Sequence, residues 1–157
     1  MRLVVLASAL TMSICELIAC SKPPKEFPIS YQEARTLSDS FMEDLVVDRT
    51  ASAIEKMEPE FIQSVGSLQA EIHLHGLFAY CGHPLDSEFK SHAKGTKTYR
   101  DGRRKPVWIF YYAARTDRFA KGVCFFTVTV VRGEKGPEVT QFGPLKLQSG
   151  HLPEYLK

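Results

Sequence analysis

The stretch VWIFYYAARTDRFAKGVCFFTVTVVR, residues 107–132, decides the fold. It begins and ends with ten-residue runs rich in β-branched and aromatic side chains, and residues 117–122 between them have the composition of a turn. Runs of this kind are typical of β-strands, and two strands joined by a short turn pair antiparallel. This stretch therefore predicts the centre of an antiparallel sheet.

The second run, residues 123–132, alternates between two faces of that sheet. One face carries Cys124, Phe126, Val128 and Val130, and the other carries Thr127 and Thr129. Because successive side chains of a strand point to opposite sides, the apolar face is predicted to pack against helices.

Two more strands flank the central pair. Residues 87–100 alternate in polarity and are followed by Asp101 and Gly102, which favour a hairpin turn. Residues 139–147 form the last predicted strand, after a turn at 133–137. The four strands should form an antiparallel meander in chain order.

The first half of the chain has helical periodicity. Ser30 and Glu33 form a capping-box pattern, and apolar residues then recur every three or four positions as far as Leu45. Shorter helices are predicted at 50–57 and from Pro59 to about Gly66. Residues 67–80 stay ambiguous because Gly76 disfavours a helix. The predicted fold class is α+β, with N-terminal helices packed on a curved four-stranded antiparallel meander in a single domain, 30–148.

The N-terminus has the pattern of an export signal. One positive charge at Arg2 precedes about thirteen uncharged residues, too few to span a bilayer. The sequence Leu17-Ile18-Ala19-Cys20 resembles the bacterial lipoprotein signal. The resemblance implies cleavage after Ala19 and diacylglycerol on Cys20. The alternative is an ordinary secreted protein, and Glu16 departs from the lipoprotein pattern.

This resemblance sets the expected domain plan and location. Residues 1–19 would be the signal peptide, 20–29 a lipidated cysteine with a Pro-rich tether, and 149–157 a C-terminal tail. The protein would lie in the bacterial cell envelope, held to the membrane by its N-terminal lipid. Ser21 after the cysteine implies the periplasmic side of the outer membrane in a Gram-negative source.

Two cysteines remain in the predicted domain, Cys81 and Cys124. In an exported protein an even pair indicates a disulfide. Buried free thiols are the alternative.

Several short motifs resemble a known group of proteins. They run Tyr80-Cys81-Gly82-His83-Pro84-Leu85, Glu88-Phe89-Lys90, Asp101-Gly102, Lys105-Pro106, Tyr112-Ala113-Ala114-Arg115-Thr116 and Lys121-Gly122. Together they are similar to uncharacterised bacterial NTF2-like lipoproteins, over most of residues 30–147. The resemblance implies a cystatin-like fold, which hosts both enzymes and binding domains, so it does not imply a function.

Basic residues cluster around the first hairpin. Residues 88–105 hold seven basic side chains against two acidic ones. The candidates for binding an anionic lipid or glycan are Lys94, Lys97, Arg100, Arg103, Arg104 and Lys105. Nucleic acid is excluded for a protein outside the cytoplasm. The alternative is a solvated hairpin whose lysines prevent edge pairing.

Candidate catalytic and metal-binding groups are few. The histidines match no zinc spacing, so no metal and no cofactor are predicted. Cys81 with His83 or His92 could form a nucleophilic pair, but a disulfide would remove it. Neither central strand carries a carboxylate over 107–114 or 123–131, which argues against a general acid–base pocket.

The aromatic residues Trp108, Phe110 and Tyr112 share one face of a strand. They are candidates for lining an apolar pocket, with sheet core as the alternative. The opposite face, which carries Tyr111, could contact a second copy in a homodimer.

The sequence favours a lipid-anchored, non-enzymatic binding or accessory domain of the cell envelope. The alternatives are a pocket enzyme of the same fold and a partner-binding lipoprotein in envelope assembly or defence. An open polar cavity between helix and sheet would favour the enzyme, and a filled interior would favour the binding domain.

Overall fold

The structure is a computed structural model that describes residues 27–118 and 123–145. It has four helices, α1 Tyr31–Val46, α2 Thr50–Glu55, α3 Pro59–Val65 and α4 Ser67–Cys81. Four strands follow, β1 Glu88–Thr98, β2 Arg104–Ala114, β3 Cys124–Arg132 and β4 Pro137–Pro144. The signal peptide, Cys20, most of the tether and the C-terminal tail lie outside the described residues.

The predicted α+β class and the four-stranded antiparallel meander are confirmed. The strand order is β1-β2-β3-β4, each strand paired antiparallel with the next. The sheet is open, with β1 and β4 as its edges. β2 begins at Arg104, three residues earlier than predicted, because the hairpin pairing continues as far as Thr98 and Arg104.

The predicted hairpin turn joins β1 to β2. The Tyr99 N–H donates to the Arg103 carbonyl at 2.8 Å. Gly102 has a φ of +85°, which glycine adopts without the steric cost of a side chain.

Helix α1 begins with the predicted capping box. The Glu33 N–H donates to Ser30 Oγ at 3.2 Å, and the Ser30 N–H donates to Glu33 Oε2 at 3.1 Å. The two bonds satisfy backbone donors that the first helical turn leaves without partners. One face of α1 then buries Phe41 and Leu45 against the sheet.

Residues 67–81, most of which the sequence left ambiguous, form helix α4. One side of the helix buries Ala70, Leu74, Phe78 and Cys81. Burial of these side chains outweighs the intrinsic cost of Gly76 in the helix interior, since packing commonly overrides propensity. Gly66 and Gly82 flank the helix with φ values of +82° and +88°.

The core lies between the helices and one face of the sheet. Phe126, Val128 and Val130 of β3 are fully buried there, on the face that their alternation predicted. Phe142 of β4 packs against Phe41 of α1, with ring centroids 5.3 Å apart, and stacks on Phe126 at 5.5 Å.

Residues 27–29, assigned above to the tether, pack on the domain. The Phe27 ring lies 5.0 Å from the Trp108 ring, and Ile29 is buried. The Trp108 indole N–H donates to the Ile29 carbonyl at 3.2 Å. The packed part of the chain therefore begins at least three residues before Ser30.

The segment between α2 and α3 binds the outer edge of β4 at Val139. The Glu58 N–H donates to the Val139 carbonyl, and the Val139 N–H donates to the Lys56 carbonyl, both at 2.8 Å. Met57 and Val139 thereby form a short parallel bridge. None of the helices in the two described ranges is long and apolar enough to cross a membrane.

Candidate functional site

The basic hairpin is held by a buried carboxylate, Glu58, whose side chain is 4% exposed. It accepts hydrogen bonds from the Tyr99 hydroxyl at 2.6 Å and from Thr140 Oγ1 at 2.5 Å. Lys97 Nζ lies 3.2 Å from one Glu58 oxygen, and Lys105 Nζ lies 3.5 Å from the other. Lys97 also donates to Thr140 Oγ1.

These contacts fix the charge state of the cluster. Burial raises the pKa of Glu58, but the hydrogen bonds from Thr140 and Tyr99 and the charge of Lys97 outweigh burial and hold the pKa below its usual range. Burial and the neighbouring Glu58 raise the pKa of the Tyr99 phenol. Glu58 is therefore ionised and Tyr99 neutral around neutral pH, with the carboxylate fully partnered.

The other predicted cations have varied surroundings. Arg103 pairs with Glu60 at 2.7 Å and also with Asp101. Lys94 lies over the Phe27 and Trp108 rings, at 4.7 and 4.9 Å from their centroids.

Arg100 and Arg104 complete the predicted set, and both are exposed at the hairpin. At least three of the six predicted cations, Lys97, Lys105 and Arg103, thus neutralise carboxylates of this molecule. This leaves the hairpin with less positive charge for an external anion than the sequence suggested.

A second buried carboxylate, Asp44, joins α1 to α2. It accepts hydrogen bonds from Arg49 Nε at 3.0 Å, from Ser52 Oγ at 2.6 Å and from Lys56. Burial raises its pKa, but Lys56 and Ser52 outweigh burial and hold the pKa below its usual range. Like Glu58, Asp44 connects separate parts of the fold, and its ionised carboxylate has no proton to donate.

The three aromatic residues predicted as pocket lining are buried. Phe110 is fully buried, and Trp108 and Tyr112 are nearly so, all within the main core. The structure therefore supports the core alternative, with the space between α1 and the sheet filled by side chains. Tyr112 also borders a cleft.

That cleft lies between α1 and the start of β1 and has a volume of about 380 Å³. The Tyr112 hydroxyl lies 2.7 Å from Asp39 Oδ1 and 2.8 Å from Ser38 Oγ. Arg35 Nε donates to both Asp39 oxygens at 2.8 Å, and its guanidinium lies 3.4 Å from the Phe89 ring centroid. The polar groups at the cleft thus bind one another.

A second cleft lies between α3 and α4, with a volume of about 730 Å³. Its lining residues are Phe61, Val65, Gln69, Ile72, His73, Gly76 and Leu77. We call this cleft the α3–α4 groove. It is an open and mainly apolar surface.

Exposed apolar side chains concentrate beside this groove. Seven large hydrophobic residues are exposed in the described part of the chain, and four of them lie on α3 or α4. These four are Val65, Leu68, Ile72 and Tyr80. Exposed apolar patches mark interaction sites in folded proteins.

Cys81 and Cys124 form a disulfide, with their Cα atoms 6.0 Å apart. The bond joins the last residue of α4 to the first residue of β3, so it fixes α4 against the sheet. As a disulfide sulfur, Cys81 cannot act as a nucleophile with His83 or His92.

The histidines of the described residues have varied surroundings. His92 packs 4.7 Å from the Tyr31 ring, and His75 lies 3.9 Å from Glu71 of the same helix. Within residues 27–118 and 123–145, no group of three or more His, Cys, Asp or Glu side chains is arranged to hold a metal ion.

Two features of the site were not predicted from the sequence. Glu58 lies between two short helices, and no local pattern shows that it is buried beneath a distant hairpin. The exposed face of α4 was missed because residues 67–80 were not assigned. Its signal was present as apolar residues at positions 68, 72 and 80, four and eight residues apart.

The comparisons with known proteins give little further information. No protein family and no curated protein matches the chain. Among solved structures, Aln2 from a Streptomyces species is similar with a TM-score of 0.44 and 12% sequence identity. The match covers 76% of this chain and 93% of Aln2. A likeness at this level carries no argument about function.

Proposed function

We propose that this chain is a lipid-anchored lipoprotein of the bacterial cell envelope whose domain binds a protein partner through α4 and the α3–α4 groove. The anchor is proposed from Leu17-Ile18-Ala19-Cys20, which lies outside the described residues. The domain is proposed to be a cystatin-like fold of the NTF2-like group, because its helices precede a four-stranded meander and pack on one face of it.

The binding proposal rests on how apolar side chains are distributed. They fill the interior of the domain, and further ones are exposed on the surface of one helix. The helix–sheet interior is filled by aromatic side chains, among them Phe41, Phe110 and Phe126. Leu68, Ile72 and Tyr80, by contrast, are more than half exposed on one helix. A filled interior with an apolar exterior suits a protein that binds a partner more than one that encloses a substrate.

The anchor is tested by labelling cells that express the full chain with radioactive palmitate. The full chain should incorporate label and fractionate with membranes. Cys20→Ala should lose both properties, since it removes the acylated sulfur. Label that persists in Cys20→Ala would contradict the anchor.

The binding surface is tested by placing a photo-crosslinking amino acid at Ile72 of the full chain in its native envelope. Val47 is the matched control, because it is exposed to a similar extent at the end of α1. Ile72 should give a discrete protein adduct and Val47 should not. Equal yields at both positions, or none at Ile72, would refute the proposed surface.

A second candidate, a pocket enzyme, is favoured by one observation, the Tyr112–Asp39 pair at the cleft between α1 and the start of β1. A phenol held by a carboxylate can take part in proton transfer. A small molecule that shifts the NMR signals of Phe89 and Tyr112, and does so less in Asp39→Asn, would support this function over the first.

A further inference from the structure

Helix α4 has an exposed apolar ridge opposite its buried face. Leu68, Ile72, Gly76 and Tyr80 lie four residues apart, so they form one row along the helix. The three side chains are 66%, 53% and 67% exposed. We call this row the α4 ridge.

Gly76 in the middle of the ridge has no explanation within the described chain. A Cβ atom added there would meet nothing within 4 Å. Glycine in a helix interior is destabilising relative to alanine because of its conformational freedom. No contact within the described chain therefore requires glycine at this position. The absence of a side chain would, however, let a second backbone approach from outside.

Helix α4 carries little charge, which permits contact with an identical helix. Among its fifteen residues only Glu71 is formally charged, and the helix has no lysine or arginine. Helix α1, by comparison, carries five charged residues in sixteen. Two copies of α4 can thus face each other with little repulsion between like charges.

We propose that α4 is a homodimer interface, in which the ridges of two copies cross at Gly76. This rests on the proposed function and names its partner as a second copy of the chain. Rows of residues four apart interlock when two helices cross at about −50°. Around a two-fold axis, each ridge would pack into the α3–α4 groove of the other copy, against Phe61, Val65 and Leu77.

The dimer should be weak in free solution. A fifteen-residue helix is about 22 Å long, so a single crossing buries less than the roughly 800 Å² per partner of a standard interface. Two copies anchored in one membrane have a raised effective concentration, which compensates for a small interface. The lipid anchor and the α4 ridge would therefore act together.

The test uses the full chain in its membrane, with a photo-crosslinking amino acid at Ile72. The expected product is an adduct of twice the mass of the chain, in which both partners are this protein. Val47 is again the control position. Adducts with a different protein alone would overturn the homodimer and leave the proposed function standing. The absence of any adduct would overturn both.

The substitution Gly76→Leu distinguishes an effect on the interface from an effect on the stability of the fold. A Cβ atom at this position meets nothing within 4 Å in one copy, and leucine favours the helix, so the melting temperature should stay the same or rise. It blocks the crossing, so the yield of the doubled-mass adduct should fall at least tenfold. An undiminished adduct in Gly76→Leu would overturn the crossing at this residue.

Discussion

The carboxylate of Glu58 connects three parts of the chain that are far apart in sequence. It lies before α3 and binds Tyr99 and Lys97 of the hairpin and Thr140 of β4. Lys97 itself also donates to the Thr140 carbonyl at 3.3 Å. The cluster therefore joins side chains from β1 and β4, the two edge strands of the sheet.

We expect Glu58→Gln to lower the free energy of unfolding by about 1–3 kcal/mol, because charge-assisted hydrogen bonds to a buried group contribute this much. Urea unfolding at neutral pH measures the change. Glu60→Gln is the matched control, since Glu60 is half exposed in its pair with Arg103. Its loss should be about 0–1 kcal/mol. Equal effects of the two substitutions would contradict a structural role for the cluster.

The stability that Glu58 provides should depend on pH. Its pKa in the folded state is below the usual value, which is about 4.3 for an unfolded glutamate. Ionised Glu58 therefore stabilises the fold above that pH, and the contribution is lost as the pH falls through the folded-state pKa. The difference in urea midpoint between the parent chain and Glu58→Gln should narrow in acid. A constant difference would show that ionisation of Glu58 is irrelevant.

Helix α4 presents two apolar faces with different roles. One face packs Leu74 and Phe78 into the core, and the other exposes Leu68 and Ile72. The disulfide at Cys81 fixes the end of the helix. The buried face and the disulfide therefore hold the helix on the domain, and the exposed side chains take no part in the core.

Leu74→Ala should lower the free energy of unfolding by about 2–5 kcal/mol, because it leaves a cavity in the core. Leu68→Ala is the matched control on the same helix, and its effect should stay within about 0.5 kcal/mol. Thermal or urea unfolding of the two variants checks the difference. Similar losses would mean that the two faces are assigned wrongly.

How far each element could be predicted depends on whether its signal is local. The start of α1 and the β1–β2 hairpin follow from Ser30, Glu33 and Gly102, which act on their own neighbours. Helix α4 was uncertain because Gly76 disfavours a helix, and its apolar residues occupy both faces and so give no single periodic stripe. Its assignment depends on contacts with distant parts of the chain, which no local pattern encodes.

At the scale of the whole molecule, the disulfide closes a loop of 43 residues that contains β1 and β2. Its sulfurs lie in the layer between α4 and the sheet, where Cys81 is buried. The bond thus joins the helical and sheet halves of the domain covalently.

Reduction of Cys81–Cys124 should lower the free energy of unfolding by about 4 kcal/mol, from the entropy of closing a loop of this length. Urea unfolding with and without reductant measures the loss. The double variant Cys81→Ser with Cys124→Ser should match the reduced parent chain and show no effect of reductant. Unchanged stability after complete reduction would contradict the prediction.

The candidate site was less predictable than the fold. The cations of the hairpin could be found in the sequence, but Glu58, which neutralises two of them, could not. Its position depends on pairing between the α2–α3 segment and β4, a contact between residues about eighty positions apart. Trp108 and Phe110 were correctly placed on one strand face, and only the packing of α1 decides that this face is core.

The bridge between Met57 and Val139 also limits how the sheet can polymerise. Fibres grow when each subunit has two free strand edges, because every unit must pair on both sides. Here the α2–α3 segment binds both backbone groups of Val139 on the β4 edge, and β1 is the other edge of the sheet order. A neighbouring strand can pair with the whole length of β4 only if this segment moves away. The segment therefore opposes the addition of a further strand at this edge, and with it the growth of chains of linked domains.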